Sequence, residues 1–226
     1  MNTNNMNLNL HIAIDGPAAS GKTDTGKLLA QELGISFLDT GLMYRAITYY
    51  FINSKLDDNK LDIIHEDIFD DINIEVSDSQ NVILNNIDIS KVIFSDDVNN
   101  KVSIYAGIQS IRENLVKKQQ LIAENNDIVM VGRDIGTVVL VEADMKLFLE
   151  ASPEERAKRR QAEQAGSDDS WSLHRGRENL ATRDHQDTYR AASPLKPADD
   201  AYTIVTDGFS IEQVIDQIMN LTAARG

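Results

Sequence analysis

Between an apolar run ending at Asp15 and a helical pattern beginning near Lys22 lies the octet Gly16-Pro17-Ala18-Ala19-Ser20-Gly21-Lys22-Thr23. It satisfies G-x-x-x-x-G-K-[ST] in the strand-then-helix setting that the motif needs. Its glycines let the backbone wrap an anion, so that several N–H groups and a helix N-terminus point at one phosphate. Lys22 adds a movable positive charge for the β- and γ-phosphates of a nucleotide, and the Thr23 hydroxyl is placed for the accompanying Mg²⁺. Such a loop confines the chain to sheet architectures in which ligands bind at the carboxyl ends of parallel strands.

The rest of the sequence agrees with that constraint. Leu10–Asp15, Ile35–Leu38, Ile128–Val131, Met145–Leu149 and Tyr202–Val205 are near-continuously apolar, the pattern of strands covered on both faces. Helical spacing falls between them at Lys22–Leu33, Leu42–Ile52, Val98–Glu124, Pro153–Gln164 and Ile211–Ala224. Two helix starts carry cap signals, Ser152-Pro153-Glu154-Glu155 and Ser210 through Gln213. Alternating strands and helices predict an α/β three-layer sandwich with a five-stranded parallel sheet. Residues 71–90 depart from this. There NIEV, NVILN and IDIS alternate apolar and polar residues, with Asn85-Asn86 as a turn. They predict a small antiparallel sheet inserted before a helix near Val98. Residues 165–177 are polar and glycine-containing, the composition of a mobile loop.

Charge and composition narrow the function. The 226-residue chain carries a net charge of −14, which disfavours non-specific binding of nucleic acid. Residues 56–100 hold twelve Asp or Glu against two Lys, whereas residues 155–190 hold eight of the 22 Lys and Arg. The acidic run is the mark of a solvated face. A basic cluster in an acidic chain needs an anionic partner, and a phosphate ligand serves. With no cysteine, disulfides and thiolate metal centres are excluded and a reducing compartment is expected. The opening MNTNNMNLNL lacks the basic and apolar regions of a signal peptide, and no 18-residue apolar run would span a membrane. A cytoplasmic protein is therefore expected. A GTPase is disfavoured: Asn59-Lys60-Leu61-Asp62 has the letters of a guanine motif but no strand before it.

Arginines recur where strands end. Asp39-Thr40-Gly41-Leu42-Met43-Tyr44-Arg45 follows the second strand, and Thr40 and Arg45 can both reach a phosphate near that helix N-terminus. Gly132-Arg133-Asp134-Ile135-Gly136 follows the third, and Arg183, Asp187 and Arg190 lie in the basic C-terminal third. The four His and the single Trp171 need no catalytic role and read as surface or lid residues.

These stretches, DTGxMYR, GRDIGTVV and RDxxDxxRAxSPLKPADDA, together with a phosphate loop in the form IAIDGPAASGK, resemble the bacterial cytidylate kinases over nearly the whole chain. The resemblance implies a single P-loop kinase domain over 1–226. Residues 58–98 would be a monophosphate-binding insertion and 155–192 a mobile, arginine-bearing lid. It implies phosphorylation of CMP or dCMP by ATP with Mg²⁺, and a monomer is expected. Carried over by position, it assigns Gly16 through Thr23, with Asp24, Arg156 and Arg160, to ATP. It assigns Thr40, Tyr44, Arg45 and Arg133 to the acceptor phosphate, and Ser103, Arg112 and Asp134 to cytosine. Asp187 with Arg183 and Arg190 falls to the ribose and phosphates, and Lys22, Arg133 and Arg190 to catalysis. Acceptors such as UMP, AMP or shikimate, or a nucleotide-binding module without turnover, are the alternatives.

Two departures from the family stand out. Thr23-Asp24-Thr25 replaces the usual Gly-Thr or Ser-Thr after the lysine, and Gln186 and Tyr189 are interleaved among the lid arginines. Asp24 is expected to turn away from the phosphates as a helix N-terminal charge while Thr23 holds the metal.

Overall fold

Strands that are apolar on both faces fold only if both faces are covered, and the computed structural model, which describes residues 9–54, 66–164 and 173–223, covers them. Five parallel strands, β1 (His11–Asp15), β2 (Ser36–Asp39), β6 (Ile128–Gly132), β7 (Met145–Glu150) and β8 (Tyr202–Val205), pair in the order β2-β6-β1-β7-β8. Alternation along β6 shows how the runs are used. Ile128 and Met130 enter one core with α2 (Thr40–Asn53), α3 (Asp96–Tyr105) and α4 (Gln109–Ala123). Val129 and Val131 enter the other, with α1 (Lys22–Leu33) and α7 (Ile211–Ala223). The expected three-layer sandwich is what forms.

Close packing fixes two glycines. A Cβ on Gly26 of α1 would stand 2.6 Å from Val131 Cγ1, so only a glycine lets the helix lie this close to the sheet. Gly16 has φ 148° and lies against β7, where a Cβ would meet the Leu149 carbonyl oxygen at 2.2 Å. Only glycine takes that conformation without strain.

The inserted sheet also forms as expected, from β3 (Ile74–Val76), β4 (Val82–Leu84) and β5 (Ile87–Asp88) in antiparallel order. Asn85 and Asn86 both take positive φ, 48° and 67°, as a tight two-residue hairpin demands. Both cap signals are realised. Ser152 Oγ accepts the Glu155 N–H. Ser210 and Gln213 exchange reciprocal bonds at 3.3 and 2.9 Å, which is the capping box.

Two expectations are corrected. The single helix over Val98–Glu124 is broken into α3 and α4 at Ala106-Gly107-Ile108, where Ile108 is extended with ψ 124°. Gly107 weakens the helix at that point. Residues 173–177, expected as loop, are the first turn of α6 (Leu173–Tyr189), which follows α5 (Pro153–Gln164); the rest of that loop, including Trp171, lies outside the described residues. Among its described residues α6 buries little apolar surface beyond Leu180, which packs on Ala18 of the phosphate loop and Ala157 of α5. Periodicity had almost nothing to detect.

Phe51, with no exposed surface, joins α2 to the inserted sheet and α3. It stacks on Tyr105 at 5.8 Å and meets Phe69 edge-on at 6.2 Å, both favourable ring geometries. Phe51→Ala is expected to cost about 3–5 kcal/mol of unfolding free energy in urea titration.

Candidate active site

The carboxyl edge of the sheet gathers the chemistry. Register places Asp15 of β1 opposite Gly132 of β6, and Asp39 of β2 opposite Val131, so the phosphate loop, the start of α2 and the Arg133-Asp134 turn share one rim. Above it opens a cavity of about 380 Å³. Its other walls are α3, α4 and the paired helices α5 and α6.

Lys22 lies buried along its own loop, donating to the Pro17 carbonyl at 2.5 Å and to Ser20 Oγ at 3.2 Å. Burial lowers its pKa, and Arg133 nearby lowers it further. Both effects favour a bound anion. Thr23 donates its hydroxyl to Asp39 Oδ2 at 2.8 Å, while Asp39 Oδ1 accepts the Gly41 N–H at 2.9 Å. The second bond makes Asp39 the N-cap of α2. A hydroxyl whose proton is engaged by a carboxylate keeps its lone pairs for a cation, so Thr23 fits the Mg²⁺ role expected for it. Among the described residues no three His, Asp or Glu side chains are grouped as metal ligands. Asp39 was missed as a site residue, although its N-cap position before a helix could have flagged it. Asp24, expected to turn away from the phosphates, is exposed and borders the cavity.

On the opposite side, Tyr44 and Arg45 project from α2 and are both buried. Thr40 Oγ1 donates to the Val131 carbonyl at 3.0 Å, which pins the first turn of that helix to β6. Arg45 Nη1 donates to the Ile93 carbonyl at 3.0 Å and to Asn99 Oδ1 at 2.8 Å. Its guanidinium lies over the Phe94 ring at 5.0 Å, close enough for cation–π attraction. The break before α4 turns Arg112 inward, where it pairs with Asp134, and both are almost fully buried. Arg133 Nε pairs with Asp187 Oδ2 at 3.0 Å, and Arg190 lies between Asp134 at 3.9 Å and Asp187 at 3.7 Å. Ser103 lines the same space, together with Arg160 and Arg183.

Seven cations, Lys22, Arg45, Arg112, Arg133, Arg160, Arg183 and Arg190, thus surround the cavity against four carboxylates, a surplus of positive charge inside a protein of net charge −14. The surplus is felt by its members. Burial, then repulsion from neighbouring arginines, brings Arg45 down to about 9 and Arg183 to about 10, and Arg190 is lowered for the same reasons. Burial pushes the Tyr44 phenol up to about 12, so it stays a neutral donor. Buried Nε of Arg183 and Nη2 of Arg190 have no hydrogen-bond partner, as donors awaiting an anion would.

Arg156 departs from its expected role. It is absent from the cavity lining and instead braces three elements, bonding to the Ala151 carbonyl, the Ala18 carbonyl and Asp184 Oδ2 at 3.1, 3.2 and 2.5 Å. Arg159 of α5, which sequence reasoning passed over, lies between the phosphate loop and the end of β8. Its Nη1 and Nη2 donate to Thr206, and a Cβ on Gly21 would stand 3.4 Å from Nη1. Gly16, Pro17 and Ser20 shape the loop without lining the cavity.

A phosphate loop facing a buried arginine cluster across the carboxyl edge of a parallel sheet defines a P-loop phosphotransferase. A family model described as cytidylate kinase matches residues 12–224. The chain is 42% identical over 221 residues to the cytidylate kinase of Bacillus cereus (strain B4264), covering 96% of this chain and 98% of that one. It is 43% identical over 225 residues to that of Geobacillus sp. (strain WCH70), covering 97% and 99%. A crystal structure of an uncharacterized protein from Eubacterium ventriosum ATCC 27560 shares the fold, with a TM-score of 0.52 at 14% identity over 96% of this chain and 99% of that one. The chain belongs to the cytidylate kinase family and is an ATP-dependent nucleoside monophosphate kinase.

Arg156→Lys, which loses the forked donor geometry, is expected to lower the thermal midpoint by several degrees, the shift that about 1–2 kcal/mol produces in a chain of this size. The KM for ATP should change less than about threefold if Arg156 is a brace and not a ligand.

Proposed function

We propose that this kinase transfers the γ-phosphoryl group of MgATP to CMP or dCMP, with ATP on the phosphate-loop side of the cavity and the acceptor among the arginines opposite. The observation that carries the acceptor assignment is the buried Arg112–Asp134 pair beside Ser103. Cytosine presents an N4 amine donor with N3 and O2 acceptors, so a carboxylate, a guanidinium and a hydroxyl complement it. Uracil exchanges donor for acceptor at two of those positions. Thr40, Tyr44, Arg45 and Arg133 would hold the acceptor phosphate. Asp187, with Arg183 and Arg190, would hold the ribose and the transferring phosphates.

The acceptor attacks with a phosphate oxygen already ionised, so no general base is needed. Positioning and charge do the work: Lys22, Arg133, Arg190 and Arg160 would spread positive charge over the transferring group. Mg²⁺, when bound beside Thr23, would draw charge from the β- and γ-phosphate oxygens. Helices α5 and α6 would act as the lid, within 155–192, and the inserted sheet, within 58–98, as the acceptor-side wall. Their closure would exclude water and limit idle ATP hydrolysis. A monomer in the cytoplasm is the setting we infer; no described helix is long and apolar enough to cross a membrane.

Coupled ADP-release assays across CMP, dCMP, UMP and AMP test the assignment. CMP and dCMP should exceed UMP by at least about tenfold in kcat/KM, the discrimination that mismatched buried polar groups impose. Equal efficiency for CMP and AMP would overturn the cytosine reading. Lys22→Ala should retain its fold and lose at least about 100-fold in kcat, as removal of a fixed transition-state charge does.

A further inference from the structure

Asp15 is 3% exposed at the end of β1, directly before Gly16 of the phosphate loop, and lies outside the cavity lining. Its carboxylate is fully used. Oδ1 accepts the Ile135 N–H and Oδ2 the Gly136 N–H, each at 2.8 Å. Those two amides open the turn that follows Arg133 and Asp134. The turn is backed by Lys146 as well: a Cβ added at Gly136 would stand within 3.3 Å of the Lys146 stem, and the Lys146 Nζ is held by Asp200 at 2.9 Å. One buried side chain therefore ties the loop that holds the donor to the turn that carries two acceptor-site residues.

We propose that Asp15 is a positioning residue for acceptor binding, its two carboxylate oxygens fixing the turn so that Arg133 and Asp134 face the nucleoside monophosphate. This rests on the assignment of Arg133 and Asp134 to the acceptor. A group kept only for stability would look different here. Burial, opposed by the two N–H bonds, holds the Asp15 carboxyl up at about 6; Asp134 nearby raises it and Lys22 lowers it. A folded pKa above the unfolded one stabilises the fold at low pH, and that stability is lost as pH rises through about 6. At neutral pH the fold thus bears a buried charge at a net cost. Only the ionised carboxylate accepts two N–H bonds in parallel; Asn at this position accepts one and opposes the second N–H with a donor of its own.

The test is steady-state kinetics of Asp15→Asn and Gly136→Ala with CMP and ATP varied separately. A Cβ on Gly136 would come within 3.2 Å of Lys146 Cδ and 3.5 Å of Asp15 Oδ2, so that variant disturbs the turn mildly while keeping the carboxylate. Asp15→Asn is expected to raise the KM for CMP at least tenfold and Gly136→Ala at least threefold, with the KM for ATP within threefold of wild type in both. In wild type the KM for CMP should climb as pH falls through about 6, more steeply than in Asp15→Asn. The second ionisation of the CMP phosphate, with a pKa of about 6, affects both proteins alike, so the difference between the two profiles isolates Asp15. Folded variants with both KM values within threefold of wild type, or with equal rises for CMP and ATP, would overturn the proposal. If Asp15→Asn does not fold, Gly136→Ala decides by the same criterion. A wild-type protein without turnover of CMP would instead overturn the acceptor assignment itself.

Discussion

The constraint on which the structure turns is a crowd of guanidinium groups held out of water with too few carboxylates to neutralise them. Burying an ion costs several kcal/mol unless geometry and partners compensate. A fold that packs Arg45, Arg112 and Arg190 around one cavity therefore gives up stability there. The carboxylates that are present are shared. Asp134 serves Arg112 and Arg190, and Asp187 serves Arg133 and Arg190. Sharing binds the parts of the molecule together: α4 to the turn after β6, and that turn to α6. It also leaves Arg190 with a buried Nη2 that no hydrogen bond satisfies, the state in which an incoming phosphate gains most.

Much of this was legible in the chain, and the reason is physical. Runs that are apolar on both faces have one structural outcome, and β1, β2, β6, β7 and β8 formed within a residue or two of where the runs lay. The phosphate loop is legible for the same reason, since its glycines and Lys22 have few other uses in sequence. Helix α6 was not legible, because its attachments are ionic and carry no period: Asp184 to Arg156, Asp187 to Arg133, with Leu180 the one deeply buried apolar residue among those described. The break at Gly107 was hidden beneath apolar spacing that continues on either side, since Val102 and Ile111 are both buried though they belong to different helices.

The arginines of α5 show where position in sequence stops being informative. Arg156, Arg159 and Arg160 fall on little more than one turn of α5, and the family resemblance singled out Arg156 and Arg160 alike. The structure separates them by what lies beneath the helix. Arg156 faces inward to Ala18 and Asp184, Arg159 faces Thr206 at the end of β8, and Arg160 faces the cavity. Successive helix residues point about 100° apart, and the packing of Ala157 against Ala18 and Leu180 fixes which guanidinium is a brace and which borders the ligand space.

Acids at the rim of an anion site look out of place until their partners are counted. Asp39 divides its oxygens between the Gly41 amide and the Thr23 hydroxyl, Asp15 gives both of its own to the amides of Ile135 and Gly136, and Asp134 holds Arg112. Each carboxylate fixes a donor or the backbone that carries one, and none of the three is spent on solvent. A donor fixed before the phosphate arrives costs no reorganisation when charge moves during transfer, and that is where electrostatic catalysis gains over water. The acids therefore weaken the net positive field and sharpen its geometry at the same time. For a reaction that asks its protein only to place two phosphates and bear their charge, the second effect outweighs the first.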